Sequence, residues 1–298
     1  MRVLLLTDGS VDAKAATEWL RQFPLPRGST LTVMSVASMR RAPIGVPAVT
    51  VREFLDAARA HARGVAEEAR DRLRARWPEG RLRVAEGDPM GDPRSAIAAA
   101  VRTADLTVVG ARGLGAVAGF LLGSVSLAVA RQARGAVLVA KGTPRRIRTA
   151  LVAIDGSADA LHAARYLASL GDLGSVRVRL LAVQEMPATP MATRPGSGLW
   201  LEPALADARR ARKVELERAL REAAAVFKGE ARQVRTAVVA GFAAEQLVRA
   251  AARGCDLVVL GARGLGRFQR ILLGSVSERV LGHAACPVLV VKSSRSRR

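Results

Sequence analysis

Cysteine is nearly absent from this chain of 298 residues: only Cys255 and Cys286 occur, and no CxxC pair accompanies them. That scarcity argues against a disulfide framework and against a structural zinc site, and two free thiols suit a reducing compartment. Aromatic residues make up 3% of the chain, too few for the stacking platforms that single-stranded nucleic acids require. Histidine is also scarce. His61, His162 and His283 fall outside the glycine-rich segments described below, which leaves no evident general base. The phosphate-loop motif GxxxxGK[ST] does not occur, and the loop GARGLG has a different glycine spacing from the dinucleotide pattern GxGxxG. A P-loop ATPase and a hydride-transfer enzyme therefore have no motif support. The apolar run after Met1 is too short for a secretion signal, so a cytoplasmic protein is expected.

Positive charge, by contrast, is plentiful. The net charge is +21, and only five of the 47 basic residues are lysines. The excess is shared evenly, with 23 basic and 13 acidic residues in 1–146 against 24 and 13 in 147–298. Apart from the tail KSSRSRR there is no basic arm, so the charge reads as arginine-rich solvated helix faces and not as a nucleic-acid footprint. The only long uncharged run is Gly113–Ala130, 18 residues. A membrane span is the wrong reading of it, because a second copy of the segment carries Arg267, Arg270, Glu278 and Arg279.

That second copy organises the whole chain. LLLTDGS at Leu4–Ser10 returns as LVAIDGS at Leu151–Ser157, VVGARGLG at Val108–Gly115 returns as VVLGARGLG at Val258–Gly266, and LLGSVS at Leu121–Ser126 returns at Leu272–Ser277. The offsets of 147 to 151 positions mean duplicated domains, not a solenoid. The seam falls at Lys141–Arg148, which gives domains at 1–143 and 149–293.

Each half alternates apolar runs with helical patterns. In the first, strands are expected at Val3–Leu6, Leu31–Val36, Leu82–Ala85, Leu106–Val109 and Ala136–Ala140. Helices are expected at Val11–Gln22, Val51–Trp77 (ended by Pro78), Pro93–Thr103 and Ser124–Ala133, with a loop at Ala37–Thr50. The second half repeats the series through Val288–Val291, and Pro187–Pro203 reads as a loop. Strands separated by helices imply an α/β fold of two tandem open parallel sheets, Rossmann-like, with helices on both faces. Ligands in such sheets bind at the strand C-termini.

Two features lie at those ends in each half. One is Asp8, repeated as Asp155. The other is the loop Gly110-x-x-Gly113, nine residues, Gly123-Ser124, repeated with identical spacing as Gly261-x-x-Gly264, nine residues, Gly274-Ser275. Glycines let a backbone approach a phosphate, and a helix N-terminus favours an anion. Arg112 and Arg263 inside the loops can add charge. Without a ligand, Ser124 and Ser275 have the residue type of helix N-caps, and Ser275-Val-Ser-Glu278 matches the capping box. Asp8 and Asp155 also have the residue type of caps or turn formers.

At these residues the chain resembles the universal stress protein family, whose ATP-binding pattern G-2x-G-9x-G-[S/T] both copies match. The resemblance covers essentially the whole chain. It implies a five-stranded parallel sheet in each half, ATP held with Mg²⁺, no metal site built from protein ligands alone, and pairing of two domains through their last strands, within the chain or in a homodimer. It assigns Asp8, Val36, Gly110, Arg112, Gly113, Gly115, Gly123, Ser124, Val125 and Ser126 to one site. Asp155, Val183, Gly261, Arg263, Gly264, Gly266, Gly274, Ser275, Val276 and Ser277 form the other. The expected role is a stress-response regulator with little turnover. A slow ATPase or self-phosphorylating protein and a nucleotide-independent scaffold remain the alternatives. The second copy ends HAACPVLVVK, as family members do, and the first ends RQARGAVLVAK, which marks the first site as the weaker candidate.

Overall fold

The computed structural model describes residues 1–36, 48–77, 80–87, 93–113, 122–171, 173–185, 201–264 and 273–293. The first half runs β1 (Arg2–Leu6), α1 (Val11–Gln22), β2 (Thr30–Val36), α2 (Ala48–Leu73), β3 (Leu82–Gly87), α3 (Pro93–Thr103), β4 (Leu106–Gly110), α4 (Ser124–Gln132) and β5 (Ala136–Ala140). The second runs β6 (Thr149–Ile154), α5 (Ala158–Ser169), β7 (Arg177–Gln184), α6 (Leu201–Val226), β8 (Gln233–Ala240), α7 (Ala243–Ala252), β9 (Leu257–Gly261), α8 (Ser275–His283) and β10 (Val288–Val291).

All ten strands form one sheet in the order β3-β2-β1-β4-β5-β10-β9-β6-β7-β8. Within each half every pairing is parallel, and the order is the doubly wound one in which the first strand sits between the second and the fourth. The halves meet where β5 runs antiparallel to β10, with Val139 opposite Val288 and Val137 opposite Val290. Strands β4, β5 and β9 are buried along their whole length, as expected of strands covered on both faces, whereas the edge strand β8 is largely exposed. One core, including Trp19, Phe23, Leu73, Leu167, Leu216 and Phe227, lies under α1, α2, α5 and α6. A second, including Ile97, Val129, Leu247 and Val280, lies under α3, α4, α7 and α8. Both cores draw on both halves.

Helix α1 shows why these elements form where they do. Ser10 accepts the Ala13 N–H at 3.2 Å as N-cap, Asp12 complements the positive end, and Ala13, Ala16, Thr17 and Leu20 face the sheet at helical spacing. Its C-terminus is closed from afar: the Arg76 guanidinium donates to the carbonyls of Leu20, Arg21 and Phe23 and stacks 4.9 Å from the Trp77 ring centroid. Burial lowers the pKa of Arg76 from its ordinary value.

Three expectations need correction. Helix α2 ends at Leu73, not Trp77: the Arg76 and Trp77 N–H groups both turn back to the Leu73 carbonyl, which tucks Trp77 into the core before Pro78 is reached. The loop expected to end at Thr50 gives way to α2 at Ala48, and residues 37–47 lie outside the described set. The loop expected through Pro203 ends earlier, since α6 begins at Leu201 and proline is tolerated in a first helical turn. Its residues 186–200 lie outside the described set.

Candidate functional site

Strand order reverses beside β1 and beside β6, which opens a crevice at their C-terminal ends. In the first half Asp8 leaves β1 there and accepts the Ser10 N–H at 3.1 Å, and in the second Asp155 accepts the Ser157 N–H at 2.8 Å. Gly9 and Gly156 between them have φ of +76° and +85°, a conformation that favours glycine. Asp8 and Asp155 are therefore turn formers, and the caps of α1 and α5 are Ser10 and Ser157.

The glycines divide into two kinds. At Gly110 an added Cβ would lie 2.7 Å from the Asp12 carbonyl carbon, and at Gly261 it would lie 2.8 Å from that of Asp159. These two let the end of the fourth strand of each half touch the start of α1 or α5. At Gly113 a Cβ would lie 2.4 Å from Asp8 Oδ2, and at Gly264 it would lie 2.5 Å from Asp155 Oδ2. Each of these glycines brings its loop over a carboxylate at the crevice floor.

The helices that follow begin without a side-chain cap. Gly123 and Gly274 are the N-caps, extended at φ −71° and −75°, and having no side chain neither offers an acceptor to the first-turn N–H groups. Ser124 and Ser275, expected as candidate caps, are instead the first helical residues and are exposed. The glycine N–H groups close the loop onto Ala111 and Ala262 at 2.8 and 2.7 Å, which fixes the cap one residue earlier. The capping box at Ser275–Glu278 is not formed either, because Glu278 turns away to Arg131 at 2.9 Å. The starts of α4 and α8, next to the glycine loops, thus carry the partial positive charge of a helix N-terminus.

The remaining expected residues are distributed unevenly. Val36, the last residue of β2, and Val183, the last but one of β7, are half-buried at the C-terminal ends of their strands. Val125 and Val276 turn their side chains toward the core. Ser126 and Ser277 are buried, and their hydroxyls donate to the Gly110 and Gly261 carbonyls at 2.7 and 2.9 Å, tying each helix to its strand. Arg112 and Arg263 pair with Asp12 and Asp159 at 3.1 and 3.2 Å. Arg263 is held further by Ser293, whose hydroxyl donates to Asp159 at 2.6 Å; the corresponding position in the first half is Gly142. Gly115 and Gly266 lie outside the described residues.

The model of the universal stress protein family matches this chain twice, over residues 1–141 and 146–292. The chain belongs to the universal stress protein family. A universal stress protein of Thermus aquaticus is 34% identical over 146 residues, 49% of this chain and 98% of that protein. One from Methanocaldococcus jannaschii is 30% identical over 148 residues, 49% of this chain and 82% of that protein. A crystal structure of a universal stress protein from Archaeoglobus fulgidus shares the fold at TM-score 0.66 and 20% identity, covering 99% of this chain and 97% of that one.

Sequence reasoning missed Lys141 and Lys292. Each follows the last strand of its half, and each is pulled down to a pKa of about 8, chiefly by burial. Lys141 Nζ donates to the carbonyls of Leu281, Gly282 and Ala284 at the end of α8, and Lys292 Nζ donates to that of Arg131 in α4 at 2.7 Å. The signal was present: two of only five lysines stand at equivalent places in the repeat. His61 and His283 lie exposed on their helices and His162 is half-buried in α5, away from the glycine loops. Cys255 and Cys286 are buried free thiols, and burial raises the pKa of both. Among the described residues, no helix is long and apolar enough to cross a membrane.

Proposed function

We propose that this universal stress protein binds two molecules of ATP, one in each half, and serves as a cytoplasmic nucleotide-responsive stress regulator with little turnover. The observation that carries this reading is the pair of helices, α4 and α8, that start at the switch-point crevice with glycine caps and no capping side chain. Elsewhere in the same chain, α1 and α5 start with serine caps that bond their helices, while α7 starts uncapped at Phe242 after the edge strand β8, so it is the place at the glycine loops together with the missing cap that sets α4 and α8 apart. A free helix start of this kind suits a phosphate.

In this reading the triphosphate lies over Gly113 or Gly264, and the adenine lies toward Val36 or Val183. Arg112 and Arg263 leave their aspartates to meet the phosphates. Mg²⁺ would be held by the phosphate oxygens, where it would neutralise their charge, and Asp8 and Asp155 are the carboxylates closest to Gly113 and Gly264. Among the described residues no histidine stands beside either glycine loop, and the reading is of binding with little hydrolysis. The two halves, at 1–143 and 149–293, act as one pair through the β5–β10 ladder.

Isothermal titration with ATP and Mg²⁺ tests the proposal. The intact protein should release binding heat, and the double variant Gly113→Val with Gly264→Val should not. No binding by the intact protein would overturn the reading and favour an interaction scaffold.

A further inference from the structure

The seam between the halves is crossed by more than a strand ladder. Because β5 and β10 are antiparallel, the end of each lies beside the segment that leads into the other. Lys141, one residue past β5, therefore reaches the C-terminus of α8, and Lys292, one residue past β10, reaches the C-terminus of α4. Each lysine closes the negative end of a helix whose positive end lies at the opposite half's glycine loop. Helix α8 has only nine residues, so about 13 Å separates its lysine-capped end from Gly274.

The lysines are also anchored at their own sites. The Trp19 indole of α1 donates to the Lys141 carbonyl at 3.0 Å, and the charges of Arg112 and Asp12 act on the Lys141 ammonium. Lys292 feels Arg263, and its neighbour Ser293 binds Asp159 and Arg263. A third tie joins the two helices directly: Arg131, near the end of α4, holds both carboxylate oxygens of Glu278 in the first turn of α8. Each site is thus joined to the far end of the other site's helix through one half-buried lysine.

Resting on the reading of both crevices as ATP sites, we infer that Lys141 and Lys292 couple them, each setting the affinity of the site in the opposite half. The route is mechanical. An ammonium about 13 Å from a bound phosphate lies beyond the screening length of physiological salt, roughly 8 Å, so its charge acts weakly across that gap. What it does is hold the last turn of a short helix, and with it the alignment of the first-turn N–H groups. A purely electrostatic role makes the opposite forecast: removing Lys141 would weaken the nearer site, beside Arg112.

The test uses the full chain with one site disabled. Gly113→Val leaves the second site to be measured, and Gly264→Val leaves the first. Lys141→Met should weaken ATP binding at the second site on the order of 5- to 20-fold, in the range of ordinary allosteric couplings, and change the first by less than about 2-fold. Lys292→Met should give the mirror image. Equal or larger loss at the lysine's own site, or no change at either, overturns the coupling. If Lys141→Met does not fold, Lys141→Gln, which keeps a donor but shortens its reach, should show the same crossed pattern. Failure of the ATP reading is recognised separately, because then the intact protein binds no ATP. Amide hydrogen exchange tests the coupling without nucleotide: Lys141→Met should speed exchange of the hydrogen-bonded amides of α8 and not those of α4, and a uniform change in both would contradict it.

Discussion

Adding one methyl group at Gly110 should cost far more stability than adding it at Gly113, three residues along the same loop. At Gly110 the new Cβ would lie 2.7, 2.8 and 2.9 Å from the Asp12 carbonyl carbon, the Asp12 oxygen and the Ala13 nitrogen. All three are backbone atoms in the first turn of α1, so relief requires moving that helix off β4. Overpacking of this kind costs about 1–3 kcal/mol, and disturbing the Ser10 cap adds about 1. At Gly113 the single close atom is Asp8 Oδ2, at 2.4 Å, and a carboxylate can rotate aside. The loss is then the turn bond from the Ser10 N–H, about 1 kcal/mol. Urea denaturation followed by circular dichroism should therefore place Gly110→Ala about 2–4 kcal/mol below the parent and Gly113→Ala within about 1 kcal/mol of it. ATP titration should rank them otherwise, with Gly113→Ala losing roughly tenfold or more, since the displaced carboxylate enters the space over which the phosphates lie. Gly261→Ala and Gly264→Ala should repeat the contrast. A neutral Gly110→Ala, or a Gly113→Ala that destabilises more, would refute the reasoning.

Other outcomes follow from the same contacts. Asp256 accepts the Arg148 and Thr149 N–H groups at 2.9 Å each and the Arg145 guanidinium at 2.7 Å, so Asp256→Ala should cost about 2–4 kcal/mol in urea denaturation; its repeat equivalent Asp105, more exposed, should cost about 1. Arg76→Met should cost about 1–3 kcal/mol in the same assay by opening the end of α1, and an unchanged midpoint would contradict that capping role. Stability should rise with pH from about 8 to 9. Lys141 and Lys292 have folded pKa values near 8, below the ordinary 10.5, so in that window the unfolded chain binds more protons. The slope should be roughly 1 kcal/mol per pH unit for the pair, after allowance for solvent at Lys292. Above about pH 9 Cys286, pushed up to about 11, begins to oppose the rise. The double variant Lys141→Met with Lys292→Met should lose the rise, and a slope that survives would contradict the assignment.

What could be read from the sequence was what local chemistry decides. Helices Val11–Gln22 and Pro93–Thr103 agree residue for residue, because a capping serine or a first-turn proline marks the start and a short apolar stripe sets the length. The glycine spacing, which recurs in both halves, marked the two loops that the structure brings over Asp8 and Asp155. What stayed hidden depends on residues distant in sequence. Trp77 leaves its helix because Arg76 is drawn to α1, more than 50 residues away. Glu278 matched a capping box, yet its partner is Arg131, 147 positions earlier. The unusual ending of the first copy also has a nonlocal explanation. Ala136 there donates to the Asp105 carbonyl at 3.0 Å, a bond that Pro287 cannot make, and β5 nevertheless pairs with β10.

The most direct test of the central claim is the number of ATP molecules bound per chain, measured by equilibrium dialysis with Mg²⁺ at saturating nucleotide. The intact protein should bind two, Gly113→Val or Gly264→Val alone should bind one, and the pair should bind none. No bound nucleotide in the intact chain, or two still bound by the double variant, would contradict it.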